Sequence, residues 1–398
     1  MTTRGDDMTP VRTALVIGGG IAGPVTALAL RKAGIDATVY EAHEAGRDGG
    51  AALTVAPNGL NALEVIGAAD AVRAAGRPVP GMVMGDGKGN RFAEFTGLPG
   101  LPASHVVARA DLNRALHDHA AGQGVAIEHG KRLTGVEETA DGVTARFDDG
   151  TTATADILVG ADGIRSTVRG LIDPAAPGPE YTGLIGIGGF ASGSGVTPDP
   201  DLMYFAFGAR AFLGYWSMPD GRVAWFSNVP EPDAAIAFAS RNTPPAAWLE
   251  RLRGLHADDD PGAALLRHSR AEDLFVLGGI EIMPRVPRWH GGRMVLVGDS
   301  AHAPSPSSGQ GASLAIESAV ELARCLRDVP GPSAAFAAYE DLRRPRVEAI
   351  AAAAAQTNKE KSAGGPTGPV DPERMFGFVQ RFRIDWDERV TAKPGVTA

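Results

Sequence analysis

A single cysteine, Cys325, is the whole thiol inventory of the 398-residue chain. One thiol excludes an internal disulfide framework and fits a reducing compartment. It lies on the apolar stripe of a helical pattern, where packing accounts for it. No apolar run approaches the roughly 18 residues of a membrane span. Arg12 followed by an apolar stretch imitates an export signal, but patterned glycines interrupt it. The chain is therefore expected to be cytoplasmic, with no membrane span. Basic runs are also absent and the net charge is −9, which argues against nucleic acid and anionic membrane surfaces as partners. No Cys/His spacing suits a metal site. Aromatic residues make up only 6% of the chain, and most gather between residues 181 and 284 or just beside them.

The 44% hydrophobic and 21% charged content is an ordinary soluble balance, and the length suggests two domains. Ala14-Leu-Val-Ile17 reads as a strand and Val25–Lys32 as a helix ending at Gly34. Between them lie Gly18, Gly20 and Gly23 in G-x-G-x-x-G spacing, with Ala22 inside the turn. Ala37–Tyr40 is a second strand, and Glu41 follows 18 residues after the last glycine. Such glycines permit a tight turn, close approach of backbone to a pyrophosphate, and close helix–strand packing. An acid at Glu41 favours a ribose with a free 2′-hydroxyl, as in FAD or NAD.

Two later strands also end in a carboxylate and a glycine. Asp156–Val159 leads to Asp162-Gly163, and Met294–Val297 leads to Gly298-Asp299. After a Pro/Ser/Gly-rich loop containing Pro306, a helical pattern opens near Gln310-Gly311-Ala312. Leu314, Ile316, Val320 and Leu322 mark its apolar positions, and Glu317 and Glu321 lie one turn apart. A carboxylate accepts bonds from ligand hydroxyls, and a helix amino-terminus favours negative charge. Reduced flavin on its ribityl chain suits both. An ordinary strand-to-helix connection is the alternative for this stretch alone.

Leu60, Leu63 and Ile66 are the expected inward residues of a short helix. Pro78–Phe95 reads as a hairpin. Val106–Leu112 leads into a helix through His119; Arg109 near its start suits a phosphate, or else is a solvated surface residue. His117 and His119 read as helix-surface residues. Val125–Glu128, Leu133–Glu138, Val143–Phe147 and Thr151–Ala155 read as an antiparallel meander. Residues 181–284 read as an antiparallel sheet in which Phe205, Phe207, Tyr215, Trp216 and Trp225 are candidate pocket or core residues, with a helix at Pro245–Gly254. A long helix over Ser333–Lys361, kinked at Pro345, and a last helix over Met375–Val390 complete the chain.

These residues carry a resemblance. The G-x-G-x-x-G with Glu41, Asp162-Gly163 within VGADGIRSTVR, and Gly298-Asp299 within VLVGDSAHAPSPSSGQG match, in order, the motifs of FAD-dependent aromatic hydroxylases. These are the class A flavoprotein monooxygenases of the p-hydroxybenzoate hydroxylase type, which include polyketide and tetracycline hydroxylases. The resemblance spans about residues 12 to 350. It implies an α/β fold: an FAD-binding Rossmann-like domain of the GR2 type, an inserted and mostly antiparallel substrate sheet, and C-terminal helices. FAD binding would fall to 12–76, 101–178 and 285–330, the substrate domain to 77–100 and 179–284, and a helical region to 331–398.

The resemblance assigns Glu41 to the adenosine ribose, Leu133 to adenine through its backbone, and Arg109 to the phosphate and ribityl region. Asp299 would bind the ribityl chain, and Gly311 and Ala312 would offer N–H groups to the flavin. Asp162 would support FAD and transient nicotinamide binding, and Arg47 would contact FAD or NADPH. Phe205, Phe207, Tyr215, Trp216, Trp225 and Pro306 would border the substrate, an aromatic or polyketide-like small molecule. In such enzymes NADPH or NADH reduces FAD, O2 adds at flavin C4a, and the hydroperoxide hydroxylates the substrate, so no protein nucleophile is required. The assembly is expected to be a monomer or homodimer. A flavin oxidase or dehydrogenase would share these motifs. A flavin halogenase would need a pocket lysine, yet none lies between Lys32 and Lys88. A non-enzymatic FAD-binding module would show no NAD(P)H turnover.

Overall fold

The computed structural model describes residues 10–45, 52–363, 371 and 373–391. A six-stranded sheet forms the first layer, in the order His290–Gly291, Met294–Leu296, Ile157–Gly160, Thr13–Ile17, Asp36–Tyr40, Ala126–Glu128. All its pairings are parallel except that of the first two strands. The three middle strands are almost wholly buried, as parallel strands covered on both faces must be. Helices Ala22–Lys32 and Gly311–Asp328 pack together on this layer.

The expected four-strand meander is corrected by the register. Leu133–Glu138, Val143–Phe147 and Thr152–Ala155 form a three-stranded meander, but Ala126–Glu128 pairs in parallel with Asp36–Tyr40. The helix Arg109–Gly122 supplies the crossover that returns the chain parallel to its neighbour. The expected last helix is corrected too. Within Met375–Val390 only the short turns Glu373–Gly377 and Phe378–Gln380 are helical. The carbonyls of Asp385, Trp386 and Glu388 accept bonds from Arg324 and Arg327 instead of from a helix of their own. The helix Pro332–Ala363 runs through Pro345.

A seven-stranded sheet forms the second unit. Its order is Phe275–Ile282, Glu180–Ala191, Val223–Pro230, Phe212–Ser217, Leu202–Phe207, Gly81–Asp86, Arg91–Phe95. Every pair is antiparallel except Leu202–Phe207 with Gly81–Asp86. The alternation of glycine and aromatics in this region has a packing cause. A Cβ at Gly214 would lie 2.2 Å from the Phe226 ring, and one at Gly188 would lie 2.1 Å from Phe275. Rings on one strand lean over glycines on the next.

Side chains alternate between the two faces. Tyr204, Leu213, Tyr215, Trp225 and Val229 pack with Trp248, Leu249, Leu252 and Leu265 from the covering helices. Phe205, Phe207, Phe212 and Phe226 form a cluster with Met82 and Met84 on the other face. Trp225 is 1% exposed and donates its indole N–H to Ser269 Oγ at 2.9 Å. Trp225→Ala should lower the unfolding free energy by about 3–5 kcal/mol. A denaturant titration reads this, and FAD retention should persist in the folded fraction.

Candidate functional site

Ile17 lies opposite Gly160, and Gly160 opposite Leu296. The three glycine-bearing turns therefore leave one edge of the central sheet side by side. Ala161 N–H donates to the Ile17 carbonyl at 2.8 Å, and Val297 N–H to the Gly160 carbonyl at 2.9 Å. This is the carboxyl-end crevice in which open α/β sheets bind ligands.

Gly18 has φ 105°, and a Cβ there would lie 2.5 Å from the Ala161 carbonyl oxygen. A Cβ at Gly23 would lie 1.9 Å from the Gly18 carbonyl oxygen. Both positions accept only glycine. Around Gly20, by contrast, there is nothing within 4 Å of a built Cβ, so a phosphate can reach the backbone. Ala22 opens the helix Ala22–Lys32 and meets the Gly298 turn. Glu41 Oε2 accepts from Gly19 N–H at 2.5 Å and Oε1 from His43 N–H at 2.9 Å. Lys131 N–H donates to the Glu41 carbonyl at 2.8 Å, which draws the chain entering Leu133 to the same end of the crevice. The Leu133 side chain is buried. Arg47 lies outside the described residues.

Asp299 is exposed to water at the start of the turn Asp299–His302. The surrounding protein pushes its carboxyl up to about 6, while Arg109, at the start of the helix Arg109–Gly122, pulls the other way. Gly311 and Ala312 open the helix Gly311–Asp328, no side chain caps it, and nothing lies within 4 Å of a Cβ built at Gly311. A glycine turn open at Gly20, an acid near a cation, and a helix amino-terminus without a side-chain cap, all in one crevice, fit FAD. Pro306 is exposed at the start of a turn in the loop between Asp299 and that helix.

Asp162 has an occupied carboxylate. It accepts from Ser166 Oγ at 2.5 Å and from the N–H groups of Thr167 and Val168 at 2.7 and 3.1 Å. Burial nevertheless raises its pKa above the ordinary value. It thus takes the first two N–H groups of the helix Thr167–Ile172, whose N-cap Ser166 accepts from Arg169 N–H.

Arg169, the last residue of the VGADGIRSTVR motif, was given no role of its own by the sequence and is buried. Its guanidinium donates to the carbonyls of Ser300 and Ile164 at 3.0 and 2.8 Å, tying the second turn to the third. His117 is corrected from a surface residue to a contact: its Nε2 donates to the Gly19 carbonyl at 2.6 Å. The substrate candidates separate by face. Phe205, Phe207 and Trp216 share the face of Phe226, whereas Tyr215 and Trp225 belong to the opposite, helix-covered face. Arg77 reaches across to the Ser217 carbonyl beside Trp216, and its Nη2 is buried without a hydrogen-bond partner.

A family model described as an FAD binding domain matches residues 11–354. The FAD-dependent urate hydroxylase of Klebsiella pneumoniae is 32% identical over 389 residues, covering 95% of this chain and 96% of that protein. The 3-amino-4-hydroxybenzoate 2-monooxygenase of Streptomyces cremeus is 31% identical, covering 94% and 92%. The crystal structure of Klebsiella pneumoniae HpxO complexed with FAD and uric acid superposes with a TM-score of 0.77 at 28% identity, covering 88% and 89%. Among the described residues, no helix is long and apolar enough to cross a membrane, and no cluster of metal-ligating side chains occurs.

Two outcomes test this site. Gly23→Ala should abolish FAD retention, read from the visible spectrum of the purified protein. Ionised Asp299 is the stronger acceptor for hydroxyl groups. FAD affinity of the apo-protein should therefore fall as pH drops through about 6, where that carboxyl gains its proton. Asp299→Asn should flatten this dependence in a fluorescence titration.

Proposed function

Because the chain belongs to the FAD binding domain family and is a flavoprotein monooxygenase, we propose that it uses NADPH or NADH and O2 to hydroxylate an aromatic or polyketide-like small molecule. The observation that carries this reading is the convergence of the three turns in one crevice. When bound, FAD supplies electron transfer from the nicotinamide to O2 and insertion of one oxygen into the substrate. The chain's own residues bind and orient. The backbone at Gly18, Gly20 and Gly23 holds the pyrophosphate, Glu41 the adenosine ribose, and the segment at Leu133 the adenine. Arg109 balances phosphate charge, and Asp299 accepts from ribityl hydroxyls. Gly311 and Ala312 direct N–H groups at the charge that develops on reduction. Asp162, bonded to Ser166 and to the first N–H groups of the helix Thr167–Ile172, holds the turn that follows Gly160.

The aromatic face bearing Phe205, Phe226 and Trp216 supports a flat, largely apolar substrate. Its half-buried rings offer area to stack on and help to exclude water. Arg77 adds a donor at the border of this face. A reaction drawing on the nicotinamide pool, together with a lone buried thiol, agrees with a cytoplasmic setting.

NAD(P)H consumption under air, across phenols, hydroxybenzoates, purines and polyketide-like compounds, tests the proposal. One compound should accelerate oxidation and return with an added oxygen by mass spectrometry. Peroxide as the sole product with every compound would favour an oxidase. With the accelerating compound, Trp216→Ala should raise KM about tenfold or more. Tyr215→Phe, on the covered face, should leave KM within about twofold, at the cost of roughly 1 kcal/mol or less in stability.

A further inference from the structure

Behind the amino-terminus of the helix Gly311–Asp328 lies a buried polar cluster to which the site described above assigns no role. Asn58 is 1% exposed, Gln310 5%, Glu317 0%, Arg343 1% and Arg346 6%. They come from three segments: the helix Pro57–Val65, the helix Gly311–Asp328 with the residue preceding it, and the helix Pro332–Ala363.

Glu317 is clamped between two cations. Arg346 donates to it twice at 2.9 Å, and Arg343 lies 2.7 Å away. Burial alone would push its carboxyl up, but the two guanidinium charges outweigh this and hold it below the ordinary value. A carboxylate so held can only accept. The neighbouring Asn58 must therefore turn its NH2 group inward, and Nδ2 donates to Glu317 Oε1 at 2.6 Å. The second proton of that NH2 goes to Gln310 Oε1 at 2.9 Å. Gln310 in turn must present its oxygen, so the donor–acceptor sequence is dictated from the ion pair outward.

Gln310 is where this chain meets the cofactor end of the helix. Its carbonyl accepts the helical bond of Leu314 N–H at 2.8 Å, and its peptide unit leads directly to the N–H groups of Gly311 and Ala312. No side chain caps this terminus, so its direction is set from behind. Two further contacts hold the same turn: Ala56 N–H donates to Ser313 Oγ at 3.0 Å, and Gly59 leaves room for Ser313, whose Oγ would lie 2.7 Å from a Cβ there.

We propose that Asn58, anchored on Glu317, is a positioning residue for the flavin: it fixes Gln310 and thereby aims the Gly311 and Ala312 N–H groups so that reduced FAD is held more tightly than oxidised FAD. A donor that gains more from one redox form than from the other shifts the equilibrium between them by that difference. The inference rests on FAD binding alone, not on substrate or oxygen. A holoenzyme that hydroxylated none of the compounds tested above would still report it.

The test is the midpoint potential of the holoenzyme, measured by dye-coupled reduction without substrate. Asn58→Leu keeps the branched side-chain skeleton without its polar atoms and leaves Glu317 paired with both arginines. Gln310→Met removes the carboxamide that accepts from Asn58, leaves Asn58 on Glu317, and serves if the first variant fails to fold. Each should weaken binding of reduced relative to oxidised FAD about tenfold, a midpoint about 30 mV more negative for a two-electron couple. The double variant should shift no further than either single one, because both act through one bond. Leu322→Ala, a fully buried position farther along the same helix, should lower the melting temperature and leave the midpoint unchanged. The proposal is overturned if Gln310→Met, or a folded Asn58→Leu, lowers stability but leaves the midpoint where it was, or if the two shifts add.

Discussion

Ile17, Gly160 and Leu296 stand in consecutive register across three parallel strands. Segments separated by well over a hundred residues thereby leave the sheet at one edge, and each leaves through a turn that carries glycine. Remove that register and the Gly18–Gly23 turn, the Asp162-Gly163 turn and the Asp299 turn have no common location. The backbone bonds across the register hold the strands, and the side-chain bonds of Arg169 and Ser300 hold the turns. Ser300 Oγ donates to the Gly160 carbonyl at 2.6 Å while its own carbonyl receives Arg169. The second and third turns thus form one rigid floor.

Around that floor the charges are arranged by burial. Asp299 stands where water reaches it and Arg109 faces it, so it can change partners when a cofactor enters. Glu317 is dry and its charge is fully compensated. Burying ions carries a desolvation cost, and pairing with two guanidinium groups offsets it only when the geometry is tight. His302 shows the alternative response: burial, reinforced by Arg343, drives its imidazole down to about 3, so it stays neutral and bonds Ser318 Oγ at 2.9 Å. One acid stays exchangeable and the deeper groups stay fixed, a division suited to a site that must be rigid and still accept a large ligand.

The seven-stranded sheet divides its residues by the same logic. Strand alternation sends Tyr215 and Trp225 to the helix-covered face and leaves Phe205, Phe226 and Trp216 on the other. The hairpin Gly81–Phe95, far from residues 180–282 in sequence, completes the sheet through a parallel pairing. Met283 N–H donates to the Ala303 carbonyl at 2.8 Å, so the far edge strand ends on the loop that follows Asp299. The two sheets are thus joined at the crevice itself.

What the sequence determined by itself was local and chemical. Gly18, Gly20, Gly23 and Glu41, with Asp162-Gly163 and Gly298-Asp299, were legible because each needs a particular residue at a particular step from a strand end. The strands and helices carrying them were legible from apolar periodicity. Tertiary structure decided what periodicity cannot encode. Ala126–Glu128 joined the central sheet because a helix returned it parallel, and residues 381–391 remained irregular because Arg324 and Arg327 took their carbonyls. Tyr215 and Trp216 are neighbours in sequence and opposites in space, a consequence of the two-residue period that shows only once the covering helices are placed. The roles of Arg169, His117 and Asn58 were hidden for one reason: each has a partner dozens to hundreds of residues away, and a single sequence carries no record of such distances.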